Sequence, residues 1–175
     1  MKKIFGLLAG IVLALPLVSV ASSDIDIGFS PEGSALTLVL KTIDDSQRSL
    51  RLIGYVFTSP DVVKSLIDAK KRGVDVRVIV DEKANRNNTS QAALNLLVNA
   101  GIPTRIISAY KITHDKIIVA DERTTETGSF NYTRAADRSN SENVIVIRNN
   151  PEVAKTYLSH WQSRWEKGQD WTSTY

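Results

Sequence analysis

Between residues 50 and 101 the chain alternates short β-branched apolar runs with stretches of helical period, and this alternation constrains the fold more than any other feature. Residues 50–57 are apolar and read as a buried strand. Ser59-Pro60-Asp61 then opens a helix: Ser59 can cap it, Pro60 suits its first turn and Asp61 favours its positive end. Val62, Val63, Leu66, Ile67 and Ala69 recur at helical spacing up to Gly73. Residues 74–80 form a second strand ending at Asp81, and a polar loop over 82–89 leads into a helix over 90–100 closed by Gly101. Strands joined by helices return to one sheet in parallel through crossovers.

The flanking segments complete the layout. Residues 24–29 place Ile25 and Ile27 on one face of an edge-like strand, and Leu36, Val39, Leu40 and Ile43 mark a helix over 34–45. Short strands are expected at 104–107, 116–120, 124–129 and 142–147, with a tight turn at 121–123 and a helical turn over 131–136. Asn150-Pro151-Glu152 opens a last helix whose stripe of Val153, Tyr157, Leu158, Trp161 and Trp165 has the spacing of a buried face. The expected fold class is α/β: a single-domain α/β/α sandwich with a mixed, mostly parallel sheet.

The N-terminus is read separately. Lys2 and Lys3 precede an apolar run over 4–18, and Ser19-Val20-Ala21 supplies the small residues of a cleavage site. Residues 1–21 are expected to be a signal peptide, leaving a domain over 22–175 that is exported, periplasmic or secreted. A membrane anchor is the competing reading of so apolar a run, but Pro16 and the small-residue exit favour cleavage. No stable membrane association is expected after cleavage. The full chain has 22 Lys+Arg and 19 Asp+Glu; losing Lys2 and Lys3 leaves 20 against 19, a balance of +1. Attraction to a polyanion must therefore come from local clustering. The absence of cysteine excludes disulfides, thiolate metal sites and cysteine catalysis.

The chemistry concentrates in His114-Asp115-Lys116, Asp121 and Gly128-Ser129-Phe130-Asn131. Residues 116–120 read as a strand, so His114 and Lys116 should share a face about 7 Å apart. A titratable imidazole beside a fixed cation suits an anionic centre, and phosphate is the obvious one. Lys116 alternates with core residues, where a lysine without a partner is awkward unless it faces an anion. The Gly128-Ser129-x-Asn131 turn offers backbone N–H groups, a hydroxyl and an amide as an anion cradle, although alone it also fits an ordinary helix cap. Asp121 has the ordinary reading of a turn-former. His160, off the apolar stripe of the last helix, reads as a solvated surface residue.

Taken together, His114-x-Lys116-x4-Asp121-x6-Gly128-Ser129-x-Asn131 resembles the His-Lys-Asp signature of the phospholipase D superfamily, and most closely its small single-motif branch, the bacterial Nuc-type endonucleases. The resemblance implies a metal-independent, cofactor-free phosphodiesterase. His114 would attack phosphorus to give a phosphohistidine, and a second motif histidine would protonate the leaving oxygen. Lys116, Gly128, Ser129 and Asn131 would bind non-bridging oxygens, with Arg134 nearby, and Glu142 would orient His114. Asp121 matches a position that is mainly structural in the family or holds a histidine proton. One motif per chain implies a homodimer with its site on the two-fold axis. Nucleic acid is the expected substrate; a phospholipase or cardiolipin-type hydrolase is the alternative, and a non-catalytic nucleic-acid-binding module is a third class that leaves the His114, Lys116 and Asn131 set unexplained.

Overall fold

The computed structural model describes residues 24–173, and the expected signal peptide over 1–21 lies outside them. The chain runs through β1 (Ile25–Ser30), α1 (Ser34–Asp44), β2 (Ser49–Gly54), α2 (Pro60–Lys71), β3 (Asp75–Asp81), α3 (Asn88–Asn99) and β4 (Thr104–Ile107). An irregular segment follows, then β5 (Ile117–Ala120), β6 (Thr124–Gly128), α4 (Arg134–Arg138), β7 (Glu142–Ile147), α5 (Pro151–Trp165) and β8 (Gln169–Asp170). The strands form one sheet in the order β1-β7-β6-β5-β2-β3-β4-β8.

The sheet is mixed as expected, but it is not mostly parallel. Only β2–β3 and β3–β4 pair in parallel; β1–β7, β7–β6, β6–β5, β5–β2 and β4–β8 are antiparallel. The crossover helices α2 and α3 link only three strands, and the chain after β4 returns through short connections that reverse its direction.

Side chains alternate across the strands and build a core on each face. Leu50 and Leu52 of β2 and Ile118 and Ala120 of β5 join the larger core beneath α1, α2 and α3. Ile53, Ile117 and Val119 point the other way, against Trp161 and Trp165 of α5. The two indoles stack at 4.9 Å, and the Trp161 N–H donates to the Leu52 carbonyl at 3.0 Å. The aromatic stripe of the last helix is therefore packing that fastens α5 to the sheet.

Several boundaries move for local reasons. β2 ends at Gly54 rather than at Phe57, because the buried Asn85 side chain takes over the backbone: its amide donates to the Tyr55 and Asp81 carbonyls at 2.6 and 2.7 Å and accepts from the Phe57 N–H at 2.9 Å. The helical turn expected from Asn131 begins at Arg134, where the Thr133 hydroxyl caps it by accepting from Ala136. The two-residue β8 is too short to carry a pattern.

Asp121 and Glu122 turn the β5–β6 hairpin with φ of 54° and 58°, a conformation that aspartate tolerates better than most residues. The Asp121 carboxylate accepts three backbone N–H groups, from Arg48 at 2.7 Å and from Gln47 and Ser49 at 2.9 Å each. Burial opposes its charge, but the N–H groups of Ser49, Gln47 and Arg48 outweigh that and hold the carboxyl below its ordinary value. A depressed carboxyl contributes stability above its unfolded value and loses it as pH falls through the lower folded one. Asp121→Ala is expected to cost about 2 kcal/mol at pH 7, and the cost is expected to shrink as pH falls below the ordinary carboxylate range and the folded parent takes up the proton. Urea unfolding from pH 7 down into the acid limb checks this; a cost that stays constant with pH would contradict it.

Candidate active site

Residues 108–116, between β4 and β5, form neither helix nor strand and carry both His114 and Lys116. The shared strand face expected for the pair is not formed, because β5 begins only at Ile117. Asp81, buried at the end of β3, accepts the Thr113 N–H at 2.8 Å and the Ala84 N–H at 2.8 Å, which holds the segment away from sheet pairing. The Lys116 ammonium instead folds back onto the His114 carbonyl at 2.8 Å. The His114 ring meets the Tyr55 ring edge-on at 4.6 Å between centroids, and the Lys116 ammonium stands 5.3 Å from the centre of the Tyr55 ring.

His114, Lys116, Gly128, Ser129, Asn131, Glu142 and Asn143 line one open pocket of about 550 Å³. Six residues of the sequence-derived set thus converge, although they come from an irregular segment, the β6 exit and the β7 entrance. Gly128 is needed because a Cβ there would run into the Asn143 carbonyl of the neighbouring strand. Ser129 ties the two strands: its N–H donates to the Asn143 carbonyl at 3.1 Å, and its hydroxyl donates to Glu142 at 2.6 Å and accepts the Asn143 N–H at 3.1 Å. The second Glu142 oxygen accepts from Asn140 at 3.0 Å. Glu142 lines the pocket and is held there by Ser129 and Asn140; among the described residues it makes no hydrogen bond to the His114 ring.

Lys116 is only 5% exposed. Burial pushes its ammonium below the ordinary lysine range, against the opposing pull of Glu142 and Asp115. No carboxylate lies within ion-pairing distance of it among the described residues, so its charge is unspent. Asn131 lines the pocket as well; its amide oxygen is buried without a hydrogen-bond partner among the described residues, and its NH2 is the group that can donate to an anion. A cation, an amide and an imidazole around one polar space can hold a phosphoryl group and attack it.

Three residues lie elsewhere. Asp121 is at the opposite end of β5, about 13 Å along the strand, and braces the 47–49 backbone. Arg134 is exposed at the start of α4, outside the pocket lining. His160 is not a free surface residue: it is half-buried, with Nε2 3.1 Å from Asp115 Oδ1. Sequence reasoning also missed Tyr55 and Asn143. Tyr55 follows the carboxyl end of β2, which begins the parallel β2–β3–β4 part of the sheet, where α/β units gather ligands, and that position was the available signal.

Residues 39–165 match the family described as cardiolipin synthase, PLD-like domain. The chain belongs to the phospholipase D superfamily. Among solved structures it resembles Nuc, a phospholipase D family member from Salmonella typhimurium, with 50% identity, a TM-score of 0.86 and coverage of 87% of this chain and 100% of that one. NucT from Helicobacter pylori shares the fold at a TM-score of 0.78 and 19% identity, covering 86% and 100% of the two chains. A protein named phospholipase D from Rickettsia bellii is 37% identical over 138 residues, 78% of this chain and 66% of its own length. Human mitochondrial cardiolipin hydrolase is 33% identical over 138 residues, spanning 78% of this chain and 54% of that protein.

Beneath this phospholipase D-like pocket lies a buried acid. Glu126 of β6 is fully buried and accepts the Tyr132 hydroxyl at 2.9 Å, while its other oxygen has no hydrogen-bond partner among the described residues. Tyr132 follows Asn131, and its carbonyl accepts the Thr58 and Ser59 N–H groups at 2.9 and 2.8 Å. Burial pushes the Glu126 carboxyl up from its ordinary 4.5 to about 8. Between these values the unfolded chain releases a proton that the folded chain keeps, so stability falls as pH rises through that window. Glu126→Gln is expected to match the parent at pH 4 and to exceed it by on the order of 2–4 kcal/mol at pH 9. Urea unfolding across this range tests the point; parallel curves for the two proteins would contradict it.

Proposed function

We propose that the chain is a metal-independent endonuclease that cleaves DNA through a phosphohistidine on His114, at the axis of a homodimer, after export. The observation that carries the reading is a pocket with one histidine, one lysine without a carboxylate partner among the described residues, and the Asn131 amide, whose chemistry needs a second histidine. The chain's other histidine, His160, lies in a separate cleft with Asp115. A second His114 from another copy supplies what is missing.

His114 nitrogen attacks phosphorus, forming an N–P bond as the P–O bond to the leaving group breaks. The partner's His114, protonated, gives its proton to the leaving oxygen. That imidazole then takes a proton from water, which attacks the phosphohistidine and releases a phosphomonoester. Lys116 and Asn131 hold the non-bridging oxygens as charge builds on them. The polar pocket walls suit phosphate and sugar, and Arg134 and Arg138 lie just beyond Asn131 on the exposed side of α4.

One surface supports the dimer. α1 packs on one face of β1, while Ile25, Ile27 and Phe29 on the other are 56%, 62% and 54% exposed. Phe29 pairs with Asn143 and Ser30 with Glu142, so this apolar stripe runs into the pocket. A second copy seated there would bring two pockets together. The same stripe favours a second reading, in which it receives acyl chains beside the catalytic residues, as the names of the rickettsial and mitochondrial relatives suggest.

The test is cleavage of plasmid and single-stranded DNA in excess EDTA, beside release of phosphatidic acid from phosphatidylcholine and cardiolipin vesicles. DNA cutting in EDTA is expected; vesicle turnover without DNA cutting would overturn the nuclease reading. Ile27→Asp with Phe29→Asp is expected to give a monomer by sedimentation and to lower DNA cleavage about 10³-fold, because each half-site loses its proton donor. A folded monomer with parental cleavage would contradict the shared site.

A further inference from the structure

Asp115 stands between His114 and Lys116, yet its side chain faces away from their pocket. It lines a second cleft, of about 190 Å³, with Ile117, Thr156, Tyr157 and His160. The Asp115–His160 contact there, at 3.1 Å, joins side chains that are 28% and 33% exposed, too shielded to be an ordinary surface pair.

The two partners differ in how firmly they are held. His160 precedes Trp161, which is 2% exposed and hydrogen-bonded to the β2 backbone, so the fold fixes its base. Asp115 belongs to a segment without regular structure. The Asp81–Thr113 bond fixes that segment before the motif, and β5, together with the Thr127 hydroxyl donating to the Lys116 carbonyl at 3.0 Å, fixes it from Lys116 onward. Between those anchors the Asp115–His160 bond reaches out from the motif to another element, whereas the Lys116 bond to the His114 carbonyl stays within it.

We propose that His160 is a positioning residue for the superfamily's reaction: through Asp115 it ties the backbone that carries His114 and Lys116 to the core-locked helix α5. Residue 115 is bonded to both functional residues, so a shift of its backbone moves nucleophile and cation together. Misplacing a reacting group by about 1 Å is worth up to about 10²-fold in rate. Loss of the pair removes no group that touches substrate and disturbs only the alignment of His114 and Lys116 with phosphorus, so the expected loss falls on kcat far more than on KM.

The proposal rests on the phosphodiesterase reading, and bis(p-nitrophenyl) phosphate serves as a probe because a small diester needs only the pocket. A wild-type protein without turnover of this probe or of DNA would sink the phosphodiesterase reading itself. In an active protein, His160→Ala is expected to lower kcat about 10- to 100-fold with KM within about threefold. His160→Gln, which keeps an N–H near the Nε2 position, should recover most of that loss. Asp115→Ala should match His160→Ala, and the double variant should lose no more than either single one. Hydrogen exchange of residues 109–116 should quicken in His160→Ala. If that variant does not fold, Asp115→Ala against Asp115→Asn, which keeps an acceptor, carries the same comparison. Unchanged kcat in the alanine variants, multiplying losses in the double variant, or no recovery by glutamine would each overturn the positioning role.

Discussion

His114→Asn is expected to fold like the parent and to retain less than about 10⁻⁴ of its turnover, on DNA and on a small diester alike. The His114 ring is exposed and makes no hydrogen bond to the rest of the chain among the described residues; its packing contact is Tyr55. Replacing it therefore costs the fold little, within about 1 kcal/mol. It costs the reaction everything, because asparagine can neither attack phosphorus nor carry a proton at working pH. Lys116 and Asn131 remain, so substrate binding should persist while turnover does not. Turnover within tenfold of the parent would mean that another group makes the bond to phosphorus.

Lys116→Met is expected to lower turnover by about 10²–10³ while leaving stability unchanged or improved. The two effects have one origin. Lys116 is almost fully buried without a carboxylate partner, and its ammonium is held below the ordinary lysine range chiefly by that burial. A charge kept out of water and left unpaired destabilises the fold. The charge becomes useful only when negative charge builds on a phosphoryl oxygen in the pocket. Methionine keeps most of the stem's volume and removes the charge, so the fold loses a cost as the reaction loses an electrostatic partner. Calorimetric unfolding and steady-state kinetics on the same preparation separate the roles. A stability loss of several kcal/mol alongside the activity loss would make Lys116 a structural residue.

The layers of this fold were legible in the chain because the periods were. The Ser59-Pro60 start of α2, the Trp161 and Trp165 stripe of α5 and the edge position of β1 follow from capping chemistry and from the 3.6- and 2-residue repeats. Strand direction was less legible. β5, β6 and β7 are short, and nothing in a four-residue apolar run says whether its neighbour is parallel. The exit of β2 depended on Asn85, about thirty residues away, a long-range polar bond that local pattern cannot contain.

The candidate site shows the same division. His114, Lys116, Ser129 and Asn131 could be picked out from residue types at fixed spacing, and Glu142 from the family resemblance, and all five share a pocket. How they share it could not be read. The fold-back of Lys116 onto the His114 carbonyl follows from Asp81 holding Thr113, a partner on another strand. Asp121 lies within the same stretch of sequence but at the far end of β5, and its carboxylate serves the 47–49 backbone. Tyr55 offers only its place after a strand's carboxyl end, and His160 on a helix reads as a solvated surface residue, because their contacts lie on other elements. Their roles come from what the fold brings beside them.

In the proposed reaction His114 takes the phosphoryl group onto itself. The direct measurement is to stop a single turnover of the wild-type protein in alkali, in excess EDTA, and to locate the added phosphoryl mass by peptide mass spectrometry. An adduct on the peptide containing His114, rising and falling with product release and absent from His114→Asn, is the expected result. Full turnover with no adduct on His114 at any time point would contradict the account.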